Sequence, residues 1–209
     1  MKVHVASRNA KKLGEMFRIL EPLMPAVEVV GLDDVEHYDE PVEDAPTFEG
    51  NALIKARAGF AATGLPTVAD DSGLCVDALN GMPGVLSARW SGPPKSDERN
   101  NELLLAQLAD VPDERRGAHF TCAVAFVHAD GPDGEVVVEG RMDGRVIRET
   151  RGSGGFGYDV VFEPDETPGR TSAELSVPEK DAISHRGRAL REIAPRIARW
   201  MSGPERPGS

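Results

Sequence analysis

Cysteine is nearly absent from the sequence: Cys75 and Cys122 are the two present, and each sits in an apolar run, Leu74-Cys75-Val76 and Thr121-Cys122-Ala123-Val124. Such a pair makes no disulfide framework and no zinc-binding spacing, and both read as small buried hydrophobes. Long apolar runs are missing too. None approaches the ~20 residues that cross a bilayer, and no secretory leader is visible before the first strand-like stretch, so a cytoplasmic protein is expected. Net positive charge is also lacking. Lys and Arg total 24 against 35 Asp and Glu, a formal charge of -11, which gives no general attraction to nucleic-acid polymers or anionic membranes. An anionic ligand must therefore be held by local cations or a metal. The G-x-x-x-x-G-K-[ST] phosphate loop is absent, and no Ser–His–Asp or Cys–His arrangement is suggested.

What remains is ordinary globular composition, 40% hydrophobic and 28% charged over 209 residues, enough for one substantial domain or two small lobes on a shared core. Periodicity predicts a strand at Lys2–Ala6 and an amphipathic helix at Lys11–Leu20, ended before Pro22. A strand at Val27–Gly31 and a long acidic loop at Asp33–Pro46 follow. Thr47 caps a helix through Ala62, with Gly64 just past its end. Thr67–Ala69 reads as a strand leading into Asp70-Asp71-Ser72-Gly73, Ser87–Pro94 as irregular, and Asp97–Leu108 as a helix capped by Ser96. Phe120–His128 and Glu135–Gly140 make a hairpin, and Arg145–Glu149 and Val160–Phe162 further short strands. Ser184 caps a last helix to about Met201, which Pro195 should kink or shorten, and 202–209 should be a disordered tail. Helices between the early strands and a hairpin later imply an α/β protein with a mixed sheet.

Several stretches carry chemistry-bearing residues. In Ser7-Arg8-Asn9-Ala10-Lys11-Lys12, the N–H groups of a helix start bind anions and Lys12 adds a point charge suited to phosphate, although the same residues also make an ordinary capped helix. Asp70-Asp71 after a strand would face the crevice where α/β folds hold ligands. Carboxylates there suit Mg2+, which takes its other ligands from phosphate and water; capping aspartates are the plainer alternative. Glu40, Glu43 and Asp44 either add a second carboxylate or form a solvated run. Asn51 and Lys55 share a helix face, so Lys55 reaches either phosphate or solvent. In Gly152–Asp159 the ring of Phe156 stands between glycines, where it can stack on a nucleobase or pack in a bulged strand. His185 and Arg186, downstream of Lys180, fall in the first turn of the last helix. Cations there oppose its dipole, which favours a binding role.

In order along the chain, the pieces Ser7-x-Asn9-x-x-Lys12, Thr47-Phe48-x-x-Asn51-Ala52, Lys55-Ala56 and Ala69-Asp70-Asp71-Ser72-Gly73-Leu74 are followed by Pro83-Gly84 and Ser87-Ala88-Arg89. Gly154-Gly155-Phe156-Gly157-Tyr158-Asp159 and Ser184-His185-Arg186-Gly187 complete the set. This ordered set resembles the inosine/xanthosine triphosphate pyrophosphatase family, which clears non-standard purine nucleotides. The resemblance implies an elongated mixed β-sheet flanked by helices, with two lobes around a central cleft in a single domain, 1–201. It also implies a homodimer, one Mg2+ per subunit, and cleavage of dITP, ITP or XTP to the monophosphate and pyrophosphate. By the family's pattern Asp71 is the proton acceptor, and Glu43 and Asp71 are the metal carboxylates. Ser7, Arg8, Asn9, Ala10, Lys11, Lys12 and Lys55 hold the phosphates. Ser72, Phe156, Gly157, Tyr158, Asp159, Lys180, His185 and Arg186 line the substrate and base sites. Neither a nucleic-acid polymer nor a membrane is an expected partner. A Maf-like pyrophosphatase of pyrimidine or modified nucleotides, and a non-catalytic nucleotide-binding protein, are the alternatives.

Overall fold

The computed structural model describes residues 2–129 and 131–201; the expected tail, 202–209, lies outside the described residues. Strand β1 (Lys2–Val5) feeds helix α1 (Ala10–Leu23), which returns the chain to β2 (Glu28–Val30), parallel to β1. Helix α2 (Phe48–Thr63) then crosses over to β3 (Thr67–Val76), parallel to the other side of β1. Helix α3 (Asp97–Gln107) precedes an antiparallel run of β4 (Gly117–Val127), β5 (Glu135–Val146) and β6 (Phe162–Pro164). Helices α4 (Val177–Ile183) and α5 (His185–Met201) close the chain. The result is one mixed six-stranded sheet in the order β2-β1-β3-β4-β5-β6, the class expected.

Helices cover both faces. Met16, Ile19 and Leu20 of α1 and Leu190, Ile193 and Ile197 of α5 bury one face against Val3, Val5, Val68 and Val124. On the other, Ala52 and Ala56 of α2 meet Ala69, Ala123 and Ala125, small residues that let helix and strand approach closely. A third cluster joins Leu104 of α3 to Leu74, Phe120 and Phe162 at the far end of the sheet. Each fully buried side chain of this size contributes roughly 1.5–3 kcal/mol.

The capped helices stand where expected: Thr47 Oγ1 accepts from Gly50 N at 3.1 Å, Gly64 is left-handed at φ 66, and Ser96 Oγ accepts from Arg99 N. Gly187 N donates to Ser184 Oγ at 3.0 Å, which caps α5. Helix α1 runs past Pro22, because a proline in the last turn interrupts little of the hydrogen-bond ladder. Helix α5 likewise carries exposed Pro195 and continues to Met201, so the helix is not shortened. Three strands are longer than predicted, β4 by starting at Gly117 instead of Phe120. Strand β3 does not end at Ala69 but continues through Asp70-Asp71-Ser72-Gly73, paired throughout with β4. Strand β5 takes in Arg145 and Val146 of the separate strand expected at Arg145–Glu149, whose last three residues are not strand, and runs through Gly140 and Gly144 without a break. A Cβ on Gly140 would strike the His185 carbonyl, and one on Gly144 the Glu163 carbonyl, so these glycines mark close backbone approach rather than strand ends. The final short strand is shifted to Phe162–Pro164. Helix α4 was not predicted, although Ser176-Val177-Pro178-Glu179 is a capping box with both reciprocal bonds made.

Candidate active site

Strands β1 and β3 pair at His4↔Thr67 and Val5↔Val68. Past that point the chain leaves β1 through Ala6 while β3 runs on, and a cleft of about 380 Å³ opens beside it. Of the residues expected at the site, all but Ala10 and Lys11 line this cleft. Lys11 instead reaches the Gly155 carbonyl at 3.3 Å, tying α1 to the glycine-rich loop. Asn9 caps α1, its Oδ1 accepting from Lys11 N at 3.0 Å and Lys12 N at 3.2 Å, and Ser7 Oγ accepts from Asn9 N.

The two adjacent aspartates go separate ways because successive strand residues face opposite sides of a sheet. Asp70 and Ser72 point toward α5. Asp70 Oδ2 accepts from Arg186 Nε and Nη2 at 3.1 Å each and stands 3.2 Å from Lys12 Nζ, and Arg186 also donates to Ser72 Oγ at 2.8 Å. Asp71 points toward α2, where its Oδ2 accepts from Asn51 Nδ2 at 3.0 Å and its Oδ1 lies 3.8 Å from Lys55 Nζ. Lys55 donates to Glu43 Oε2 of the acidic loop at 2.9 Å. Hence both lysines expected to hold phosphate face carboxylates, and Glu43 and Asp71 converge on one ammonium group.

The other end of the cleft is built from the glycine-rich loop and the last helices. Lys180 and Arg186 lie over the Phe156 ring at 5.1 and 5.6 Å from its centroid, close enough for cation–π attraction. Behind them, Lys180 donates to Asp159 at 2.7 Å and to Glu15 of α1 at 3.2 Å, and Glu15 also accepts from Arg186. His185 stacks on Phe120 at 4.7 Å with the rings 9° apart, and its buried Nδ1 has no hydrogen-bond partner among the described residues. Tyr158 is mainly a wall, its hydroxyl donating to the Ser87 carbonyl at 3.0 Å.

Burial and charge set different protonation states along this wall. Burial alone would raise the Asp70 carboxyl, but Lys12, Arg186 and Lys55 outweigh it and hold Asp70 well below the usual carboxylate range. At Asp71 burial wins over Lys55, Lys12 and the Asn51 hydrogen bond, and the carboxyl is pushed up. Lys55 is kept charged despite burial by Asp70, Asp71 and Glu43. Burial, then Arg186 and Lys180, push His185 far down, so its imidazole is neutral.

Several residues in or behind the wall carry no role in the sequence reading. Glu15 is three residues after Lys12 on the same helix face, a signal present in the sequence. Asn51, on the Lys55 face of α2, joins Asp71 to the loop: it donates to Asp71 and accepts from Ala45 N. Phe120 and Lys95 carried no signal, the first being one of many strand apolar residues and the second an exposed lysine.

Fold and cleft together define a class: an α/β protein with carboxylates and lysines at one end of a cleft and an aromatic ring framed by cations at the other. Within it, this chain belongs to the Ham1 family, whose model matches residues 3–196. The chain is 60% identical over 194 residues to the dITP/XTP pyrophosphatase of Mycolicibacterium paratuberculosis, covering 92% of this chain and 94% of that protein. It is 61% identical over 198 residues to the dITP/XTP pyrophosphatase of Nocardia farcinica, covering 94% and 95%. Among solved structures it is similar to the nucleoside-triphosphatase / dITP/XTP pyrophosphatase of Mycobacterium abscessus, at 59% identity and TM-score 0.74, covering 93% of this chain and 100% of that one. A HAM1 protein from Coxiella burnetii matches at 37% identity and TM-score 0.82, covering 94% and 98%. Among the described residues no helix is long and apolar enough to cross a membrane.

Proposed function

We propose that this chain is a metal-dependent hydrolase that cuts nucleoside triphosphates bearing a 6-oxo purine, namely dITP, ITP and XTP, to the monophosphate and pyrophosphate. The observation that carries this reading is the two-ended cleft, in which Lys12, Lys55, Glu43 and Asp71 share one cavity with Phe156, Lys180, His185 and Arg186. The relatives of 60% and 61% identity named dITP/XTP pyrophosphatase support the same substrates.

Asp71 is the base. Burial raises its proton affinity, which improves proton abstraction from water. The water oxygen bonds to the α-phosphorus, its proton passes to Asp71, and the bond from the α-phosphorus to the bridging oxygen breaks with both electrons leaving on pyrophosphate. Lys12 and Lys55, with Ser7, Arg8, Asn9, Ala10 and Lys11 of the opening turn, hold the triphosphate and steady the charge on the leaving group. Glu43 and Asp71 would hold one Mg2+. Two carboxylates facing the single ammonium of Lys55 leave negative charge in excess, and hard oxygen donors suit an ion that fills its shell with phosphate and water. A bound Mg2+ supplies neutralisation of phosphoryl charge.

Base choice follows from donors. Lys180 uses two of its three N–H groups on Asp159 and Glu15, which leaves one for a ligand. Donors match the O6 acceptor of a 6-oxo purine, whereas the 6-amino group of adenine would leave them buried and unpaired. Guanine shares the 6-oxo edge, so pocket shape must exclude its 2-amino group. Phe156 stacks on the base, and Ser72, Gly157, Tyr158, Asp159 and His185 complete its surroundings. Residues 1–201 are read as one domain of two lobes, and the chain as a cytoplasmic homodimer; sedimentation velocity tests the assembly.

Pyrophosphate release measured across a panel of triphosphates at fixed Mg2+, with and without EDTA, decides the function. The expected result is EDTA-sensitive hydrolysis of dITP, ITP and XTP well above ATP and GTP. Equal rates with all five would refute the selectivity, a pyrimidine preference would make the chain Maf-like, and no release at all would make it a binder.

A further inference from the structure

After the short turn at Leu32–Asp34 the acidic loop has no regular structure up to Pro46, so anchors outside the loop must set the position of Glu43. Tyr38 supplies one. Its hydroxyl is hydrogen-bonded to Nε2 of His4 at 2.8 Å, and the two rings meet edge-on with centroids 5.9 Å apart. His4 is 0% exposed in β1, between β2 and β3, so this bond ties the loop to the middle of the parallel half of the sheet. Gly59 of α2 makes the room: a Cβ there would stand 3.1 Å from the Tyr38 hydroxyl and 3.2 Å from His4 Cδ2. Arg8 of the opening turn donates to the Tyr38 carbonyl at 2.9 Å. Farther along, Arg89 donates to the Glu43 carbonyl at 3.3 Å and Ala45 N to Asn51 Oδ1 at 3.0 Å, which fixes the loop on its α2 side. Glu43 therefore lies between two moorings, and Tyr38 provides the one on β1.

We propose that Tyr38, seated on His4 in the space left by Gly59, is a positioning residue that places the Glu43 carboxylate and so sets the divalent-ion affinity of the site. The inference rests on the reading of Glu43 and Asp71 as the metal carboxylates. Without the Tyr38 mooring the stretch before Glu43 samples other positions, and apparent affinity falls in proportion to the fraction that remains productive.

Mn2+ is the probe, titrated by electron paramagnetic resonance against the full chain without nucleotide, for wild type, Tyr38→Ala, Tyr38→Phe and Glu43→Gln. If the productive loop position drops to about a tenth of the population, Tyr38→Ala weakens Mn2+ binding about tenfold and raises the Mg2+ requirement of pyrophosphate release similarly. Turnover at saturating Mg2+ stays within about twofold, since the mooring acts on loop population and not on the reacting groups. Tyr38→Phe, which keeps the ring without the hydroxyl, falls between. If Glu43→Gln weakens Mn2+ binding and Tyr38→Ala does not, the positioning role is overturned with the metal reading intact. Unchanged binding in Glu43→Gln removes the metal role of Glu43 and the inference with it. A lower melting temperature and lower turnover with Mn2+ affinity unchanged also overturns it, because that is the mark of general loosening.

Discussion

Replacing Asp70 with asparagine keeps the shape of the side chain and removes its charge. Asp70 is 1% exposed, and its Oδ2 takes two bonds from Arg186, itself 2% exposed, beside the ammonium of Lys12. Arg186 keeps Glu15 as a partner, but Lys12 loses the carboxylate it faces. Breaking a buried ion pair by removing one partner costs roughly 3–5 kcal/mol. For a chain of this size each kcal/mol lowers the melting temperature by about 2–4 °C, so Asp70→Asn should melt about 6–20 °C below wild type at neutral pH. The pH dependence provides a second check. Because the folded-state pKa of Asp70 is depressed, its stabilisation is fully present above the unfolded value of about 4 and is lost as pH falls toward the folded value. The gap between wild type and variant should stay flat from about pH 8 to pH 5 and narrow below about pH 4. Denaturant melts across that range measure it. A variant within about 1 kcal/mol of wild type at pH 7, or a gap that widens on acidification, would refute the reasoning.

Asp71→Asn should reduce pyrophosphate release by about 10²–10⁴-fold while nucleotide binding stays detectable by calorimetry, and near-normal turnover would remove the proposed base. Phe156→Ala should raise KM for dITP by about 5- to 150-fold, the equivalent of ~1–3 kcal/mol of stacking, and an unchanged KM would show that the ring does not touch the base. Gly155→Ala places a Cβ at φ 70 against the Asp159 carboxylate and near Lys180 Nζ, so it should weaken substrate binding more than it lowers stability; titration calorimetry and thermal melts separate the two.

What could be read from sequence depended on whether the signal was local. Helices α2 and α3 were legible because their stop and start residues act within a turn: Thr47 and Gly64 for the first, Ser96 for the second. Strands β3 and β5 were cut short because aspartate, serine and glycine read as turn formers, yet here the polar residues are satisfied by α5 and α2 and the glycines by close helix and strand contacts. The site was legible as a set of motifs in order, but its pairings were not. One partner of Arg186 is Glu15, across almost the whole chain, and no periodicity carries that information. The Tyr38–His4 bond is hidden for the same reason, one end in an unpatterned loop and the other in a strand where histidine reads as core.

Strand alternation also puts the two adjacent aspartates in different charge environments. On the α5 face, Asp70, Glu15 and Asp159 meet Lys12, Lys180 and Arg186, so the charges there balance. On the α2 face, Asp71 and Glu43 share Lys55 as their ion-pair partner among the described residues, and one negative charge is left over. A balanced cluster holds its members in place and has little to gain from a further cation. The unbalanced one gains from a cation. A β3 shifted by one residue would exchange the two environments. The register Asp71↔Ala123 with β4 therefore fixes which aspartate meets Lys55 and which is locked under Arg186.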